Sequence, residues 1–261
     1  MTHLPRRSLL ALALAAATAA PAAADTLRVG AYPSNPPWEF KNEQSEFEGF
    51  EVELVTEVAN RLGMEVEIQD LGFQALFAAT ASNRIDVAIS SITITAERLE
   101  SQSFTQPYYD SELVMVTGTD GPDTLAELDG ATMGGLAAST GETWIQENME
   151  TYGFGDYKSY PTQQGLLLDI VNGRVQGGVS DYLGVAFAAE QMGGLKIAER
   201  IRTGEQYAFM LPKGSELLGP INDAISSIKE DGTMAALYAE WIGGAPAEGS
   251  STVTVMEIPG S

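Results

Sequence analysis

Short apolar runs alternate with amphipathic stretches along this chain, and that order restricts it to α/β architecture with largely parallel sheets. Residues 26–32 read as a strand, and residues 50–62 as a helix with Phe50, Leu54, Val55, Val58 and Leu62 on one face. A strand over 64–69, a helix over 74–82 and a strand over 85–90 follow. A turn-rich break at 118–123 interrupts the series. It resumes with a strand at 132–136, helices at 141–149 and 163–171, a strand at 175–180 and a helix at 182–191. Extended segments at 112–116 and 205–211 flank this second series, and helices at 217–230 and 233–241 come last. The spacing predicts two α/β lobes joined by two β-strand hinge crossings. Lobe one takes residues 25–111 and 207–243, and lobe two takes 112–206. Residues 244–261, rich in Gly, Ala, Ser and Pro, predict a flexible tail.

The first 24 residues have a different character. Arg6 and Arg7 precede an apolar run over 8–20 and the small residues Ala22, Ala23 and Ala24, the order of a secretory signal peptide. The predicted cut follows Ala24 and leaves Asp25 as the first mature residue. The Arg6-Arg7 pair hints at twin-arginine export, but the general route is the simpler reading. The chain has no cysteine, which excludes disulfides, thiol nucleophiles and a lipidated anchor at the cut. Its single histidine, His3, lies in the signal, so the mature chain has no Ser-His-Asp chemistry and no imidazole metal ligand. Losing Arg6 and Arg7 takes the formal charge from −22 to −24, which argues against nucleic acid and anionic membranes as partners. A soluble monomer outside the cytoplasm, with no cofactor, no metal and no direct membrane anchor, is the expectation.

Ligands of open α/β sheets collect beyond the carboxyl ends of the strands. Lobe one brings Tyr32 and Asn35, then Phe73, then Ser90, Ser91, Thr93 and Arg98 to such ends. Hydroxyls, exposed backbone N–H groups and one guanidinium together make a carboxylate site. Lobe two brings Ser139 and Thr140 to the start of a helix and Asp181 to the end of a strand. Each of these has a plainer reading as well. Ser139 and Asp181 are good helix caps, Phe73 is an ordinary core residue, and Arg98 alone is a surface charge.

The segments GFEVEL (49–54), FQAL (73–76), NRIDVAISSITITAER (83–98) and FTQPYY (104–109) resemble the polar amino-acid-binding proteins of bacterial ABC importers, solute-binding family 3. The glutamine- and histidine-binding proteins are the nearest members by pattern. ASTGE (138–142), NGRVQGGVSD (172–181), LPKGSEL (211–217) and IKEDGTMAALYAEW (228–241) continue the likeness in the same order. The resemblance implies a two-lobed periplasmic-binding-protein fold of type II, an α-amino acid as ligand and an inner-membrane ABC permease as partner. It implies that Arg98, with Ser91, Thr93, Ser139 and Thr140, takes the α-carboxylate. Asp181 takes the α-ammonium, and Phe73 stacks on the side chain.

The chain also departs from that pattern. Tyr32 stands where cationic- and amide-reading relatives carry an acid, Asn35 where a second stacking aromatic is usual, and Ala137 where a basic reader sits in the glutamine binder. With Phe73 and Trp38, these residues predict a neutral or partly apolar ligand side chain. A dehydratase-like enzyme on the same fold is the alternative, with Glu39 or Glu142 as general acid. Both of these read more naturally as surface or first-turn residues.

Overall fold

The computed structural model describes residues 24–260, so all but the last position of the expected signal peptide lies outside the described residues. The chain runs β1 (Thr26–Ala31), a small meander of β2 (Ser34–Asn35), β3 (Glu39–Lys41) and β4 (Phe47–Glu48), then α1 (Phe50–Leu62), β5 (Glu65–Asp70), α2 (Phe73–Ala81), β6 (Val87–Ala88), α3 (Ala96–Ser101) and β7 (Gln102–Phe104). It crosses on β8 (Tyr109–Gly118) into β9 (Thr132–Leu136), α4 (Thr140–Tyr152), β10 (Asp156–Tyr160), α5 (Gln163–Val171), β11 (Gly177–Asp181) and α6 (Tyr182–Met192). It returns on β12 (Leu195–Tyr207) to β13 (Met210–Pro212), α7 (Leu218–Glu230) and α8 (Thr233–Trp241).

Two five-stranded sheets result, in the orders β5-β1-β6-β13-β7 and β10-β9-β11-β8-β12. In the first, β1 is parallel to β5 and β6; in the second, β9 is parallel to β10 and β11. The two-lobed α/β arrangement read from the alternation is therefore the one the chain adopts. Helix α1 shows why these residues fold this way. Phe50, Leu54, Val55 and Val58 recur at helical spacing and are fully buried in the core that α1 shares with β5, α7 and α8, at about 1.5–3 kcal/mol per side chain. Gly49 starts the helix at φ 127°, where a Cβ would lie 2.4 Å from the Trp38 carbonyl oxygen. That close approach seats the first turn of α1, with Glu51, under the cleft.

The crossings pair with each other. Strands β8 and β12 are antiparallel, with Tyr207 opposite Tyr109, Gln206 opposite Asp110 and Glu205 opposite Ser111. The rings of Tyr109 and Tyr207 stack at 5.6 Å, and Trp38 meets both edge-on. Trp38 is thus fully buried in the hinge and does not line the cleft as expected. An indole filling the core between α1 and the crossings leaves no face for a ligand.

Edge strands escaped the sequence pattern. Strand β10, at one edge of the second sheet, is largely polar and solvent-facing, so no apolar alternation marks it. Strand β12, at the other edge, carries Leu195, Ile197 and Ile201 at alternate positions, a signal the sequence reading passed over. The flexible tail also needs correction, because in this structure it is held down. The Ser251 N–H donates to Asp110 Oδ2 at 2.9 Å and the Met256 N–H to Gln106 Oε1 at 3.0 Å. Lys229 Nζ donates to the carbonyls of Thr254 and Pro107 and to Gln106 Oε1 at 2.9, 2.7 and 2.9 Å. Composition shows that a segment forms no helix or strand. It does not count the polar partners that lobe one offers such a segment.

Candidate ligand-binding site

The turn after β6 is built around a buried acid. The Ser91 N–H donates to both oxygens of Glu51 at 2.8 and 3.1 Å, and the Tyr108 hydroxyl donates to the same carboxylate. Ser90 Oγ accepts from the Tyr32 N–H at 2.9 Å, and Ser91 Oγ accepts from Asn35 Nδ2 at 3.0 Å. These contacts hold Ser90 at φ 140° and Ser91 at φ 45°. Together with Ala138 (φ 66°), they make three of the five non-glycine residues with positive φ among the described residues. Such backbone persists only where the surroundings over-determine it, and it collects at binding sites.

Glu39 lies beside Glu51, fully buried, and neither of its oxygens has a hydrogen bond of good geometry. Desolvation and the neighbouring Glu51 carboxylate push Glu39 well above the usual carboxylate range, and desolvation raises Glu51 as well. The surface position expected for Glu39 is therefore wrong. Its strand, β3, lies under Asn35 and α1, which the short sequence pattern E-F-K did not reveal.

Lobe two supplies the facing turn. Ser139 Oγ accepts from the Glu142 N–H at 3.1 Å, and Glu142 Oε2 accepts from the Ala138 N–H at 2.6 Å, a reciprocal cap on α4. Glu142 is thus the first-turn helix residue it was read as, held further by the Tyr157 and Ser159 hydroxyls. A Cβ on Gly141 would lie 2.3 Å from the Val179 carbonyl oxygen, so only glycine lets α4 start this close to β11. Asp181 ends β11 at the cap position of α6 but makes no capping hydrogen bond. Its carboxylate instead accepts from the Tyr207 hydroxyl and feels the Arg98 charge, while burial lifts it to about 6.

Tyr32, Asn35, Phe73, Ser91, Ser139 and Asp181 line one narrow cavity between the lobes, with Leu136, Gln163 and Ser180. Asp181 is the only carboxylate among these residues. The cavity closes over Tyr32, whose hydroxyl accepts from the Gln163 N–H at 3.2 Å, while Gln163 Nε2 donates to Ser180 Oγ at 2.7 Å. Arg98 and Thr140 line an adjoining space instead, reached past Leu113, which borders both. Arg98 Nη1 donates to the Thr93 carbonyl at 2.7 Å and Nη2 to the Ala138 carbonyl at 2.9 Å, joining the two turns. Its guanidinium lies 4.9 Å over the Phe77 ring, and Thr95 Oγ1 caps the helix that carries it.

Sequence reasoning missed four residues here. Phe77 lies one turn from Phe73 and was legible by that spacing. Gln163 and Glu205 were read only as element ends, and Tyr207 only as part of the extended segment 205–211. Glu205, on β12 beyond a register shift, accepts from Thr93 Oγ1 at 3.2 Å and is nearly buried beside Arg98. Among the described residues no cluster of His, Asp and Glu could hold a metal ion, and no helix is long and apolar enough to cross a membrane.

Known proteins share this frame. The L-cystine-binding protein TcyJ of Escherichia coli (strain K12) is 29% identical over 262 residues, spanning 93% of this chain and 97% of the relative. The histidine-binding periplasmic protein of the same strain is 30% identical over 244 residues, 89% and 94% of the two chains. An ancestral arginine-binding protein solved with arginine superposes with a TM-score of 0.79 at 32% identity, covering 84% of this chain and 98% of its own. An ancestral arginine-binding protein bound to glutamine gives 0.79 at 31%, with the same shares covered. These relatives are binding proteins by name and not enzymes, so the dehydratase alternative has no counterpart among them. A family model matches residues 27–244, and the chain belongs to the bacterial extracellular solute-binding proteins, family 3.

Proposed function

We propose that this protein captures an α-amino acid with a neutral side chain between its lobes in the periplasm and delivers it, as a monomer, to an inner-membrane ABC permease. Residues 25–111 and 207–243 form one closing body and residues 112–206 the other. The observation that carries this reading is the pairing of charges across the cleft: Arg98 on lobe one lies near an uncapped, half-buried Asp181 on lobe two. A zwitterion bridging them contacts both lobes only when they close, and that differential contact drives closure. Ser91, Thr93, Ser139 and Thr140 assist the carboxylate. The side chain falls among Tyr32, Asn35, Phe73 and Gln163, where the wall carries no carboxylate other than Asp181. The α-amino group and α-carboxylate are common to cystine, histidine, arginine and glutamine, the ligands in the relatives' names and titles.

Asp181→Asn tests the ammonium half of the site. A charge-assisted hydrogen bond contributes about 1.5–3 kcal/mol, so affinity for the amino acid is expected to fall at least tenfold. Affinity for its des-amino analogue is expected to change less than twofold. Equal losses for the two compounds would mean that Asp181 only shapes the start of α6.

A further inference from the structure

We propose that Glu205 competes with the ligand's α-carboxylate for the Thr93 and Thr140 hydroxyls and the Arg98 charge, so that capture of an amino acid takes up one proton. The inference rests on the carboxylate role given above to Arg98, Thr93 and Thr140. Glu205 accepts from the Thr93 hydroxyl of lobe one at 3.2 Å, feels the Thr140 hydroxyl of lobe two, and lines the same space as Arg98, Thr140 and Ala138. The bridge between Thr93 and Tyr207 fixes this meeting by tying the lobe-one turn to the hinge strand two residues from Glu205.

An internal carboxylate and a ligand carboxylate on one set of donors cannot both stay ionised at contact distance. One must leave or be neutralised, and Glu205 is anchored in a strand. Desolvation and the Asp181 charge already raise Glu205 to about 7, against the lowering pull of the two hydroxyls and Arg98. The other charged groups around it are Asp181 at the end of β11 and Glu97 and Glu147, which border the space from α3 and α4. The Tyr207 phenol on its own strand is pushed well above its ordinary value by burial and stays neutral. An arriving carboxylate raises Glu205 further. The proton comes from solvent, and the resulting carboxyl O–H donates to the ligand. Arg98 and Asp181 then balance a zwitterion, and no acid is left over to favour a cationic side chain.

The test is calorimetric titration of L-arginine, L-glutamine and L-cystine into the wild type and Glu205→Gln, at pH 7 and 8.5, in two buffers of different ionisation enthalpy. In the wild type, proton uptake approaching one per amino acid is expected at pH 8.5. Affinity should weaken about tenfold from pH 7 to 8.5, a range in which Asp181 stays ionised. Glu205→Gln should lose most of that uptake, keeping only the fraction taken up by the ligand's own partly deprotonated α-amino group at pH 8.5. It should show a shallower profile and bind more tightly than the wild type at pH 8.5. Wild-type heats that do not depend on buffer overturn the proposal without the variant. If Glu205→Gln loses arginine and keeps glutamine, the acid reads a side-chain cation and the proposal fails. If neither protein binds any of the three, the amino-acid reading falls first and this proposal falls with it.

Discussion

Arg98→Ala is expected to weaken amino-acid binding by tenfold to a hundredfold, corresponding to about 1.5–3 kcal/mol for a charge-assisted hydrogen bond. The loss has two sources. In the proposed site the guanidinium fork is the cation that meets the carboxylate, and it also links the Thr93 carbonyl of lobe one to the Ala138 carbonyl of lobe two at 2.7 and 2.9 Å. Removing it takes charge from the ligand and a strut from between the two turns. Arg98→Lys separates the effects, because lysine keeps the charge but not the planar fork lying over Phe77. Affinity between those of the wild type and the alanine variant is expected for lysine. Unchanged affinity in Arg98→Ala would remove this residue from the site.

The largest expected effect on folding is that of Glu51→Ala. The substitution leaves the Ser91 N–H and the Tyr108 hydroxyl buried without their acceptor. Orphaning two buried donors costs on the order of 3 kcal/mol, or roughly 10 °C in Tm for a chain of this size. Glu39→Gln acts in the opposite direction and reveals the sign of the pair's titration. Glu39 is raised well above its ordinary value, so above the unfolded carboxylate range the native pair holds a proton that the unfolded chain has released. Stability therefore falls with rising pH in that window, by about 1.4 kcal/mol per pH unit per retained proton. The variant removes this share, so its thermal stability should decline less between pH 5 and 8 and exceed that of the wild type at pH 8. Parallel curves would mean that the two acids do not share a proton. Together the variants show whether the pair holds the Ser90–Ser91 turn open for a ligand at a cost in stability.

The α/β alternation was legible because it rests on local periodicity. Phe50, Leu54, Val55 and Val58 mark α1, and the hydroxyl-rich strand ends mark Ser91 and Ser139, which line the candidate cavity. Other features depended on partners distant in sequence. Nothing near Glu39 announces that Glu51, Ser90 and Asn35 will surround it, and nothing near Glu205 announces Thr93, 112 residues away. Asp181 had two readings in the sequence. In the structure it makes no capping bond, feels the Tyr207 hydroxyl and lines the cavity. The tail failed for the same reason as the acids, since Asp110 and Lys229 hold it from outside its own composition.

The measurement that bears most directly on the central claim is calorimetric titration of the mature protein, refolded to strip bound solute, with the standard amino acids and cystine. Micromolar or tighter binding, about −8 kcal/mol or better, is expected for an α-amino acid of neutral side chain. No binding is expected for the decarboxylated analogue of that amino acid. A panel without heat, or an analogue that binds as well as its parent, would contradict that claim.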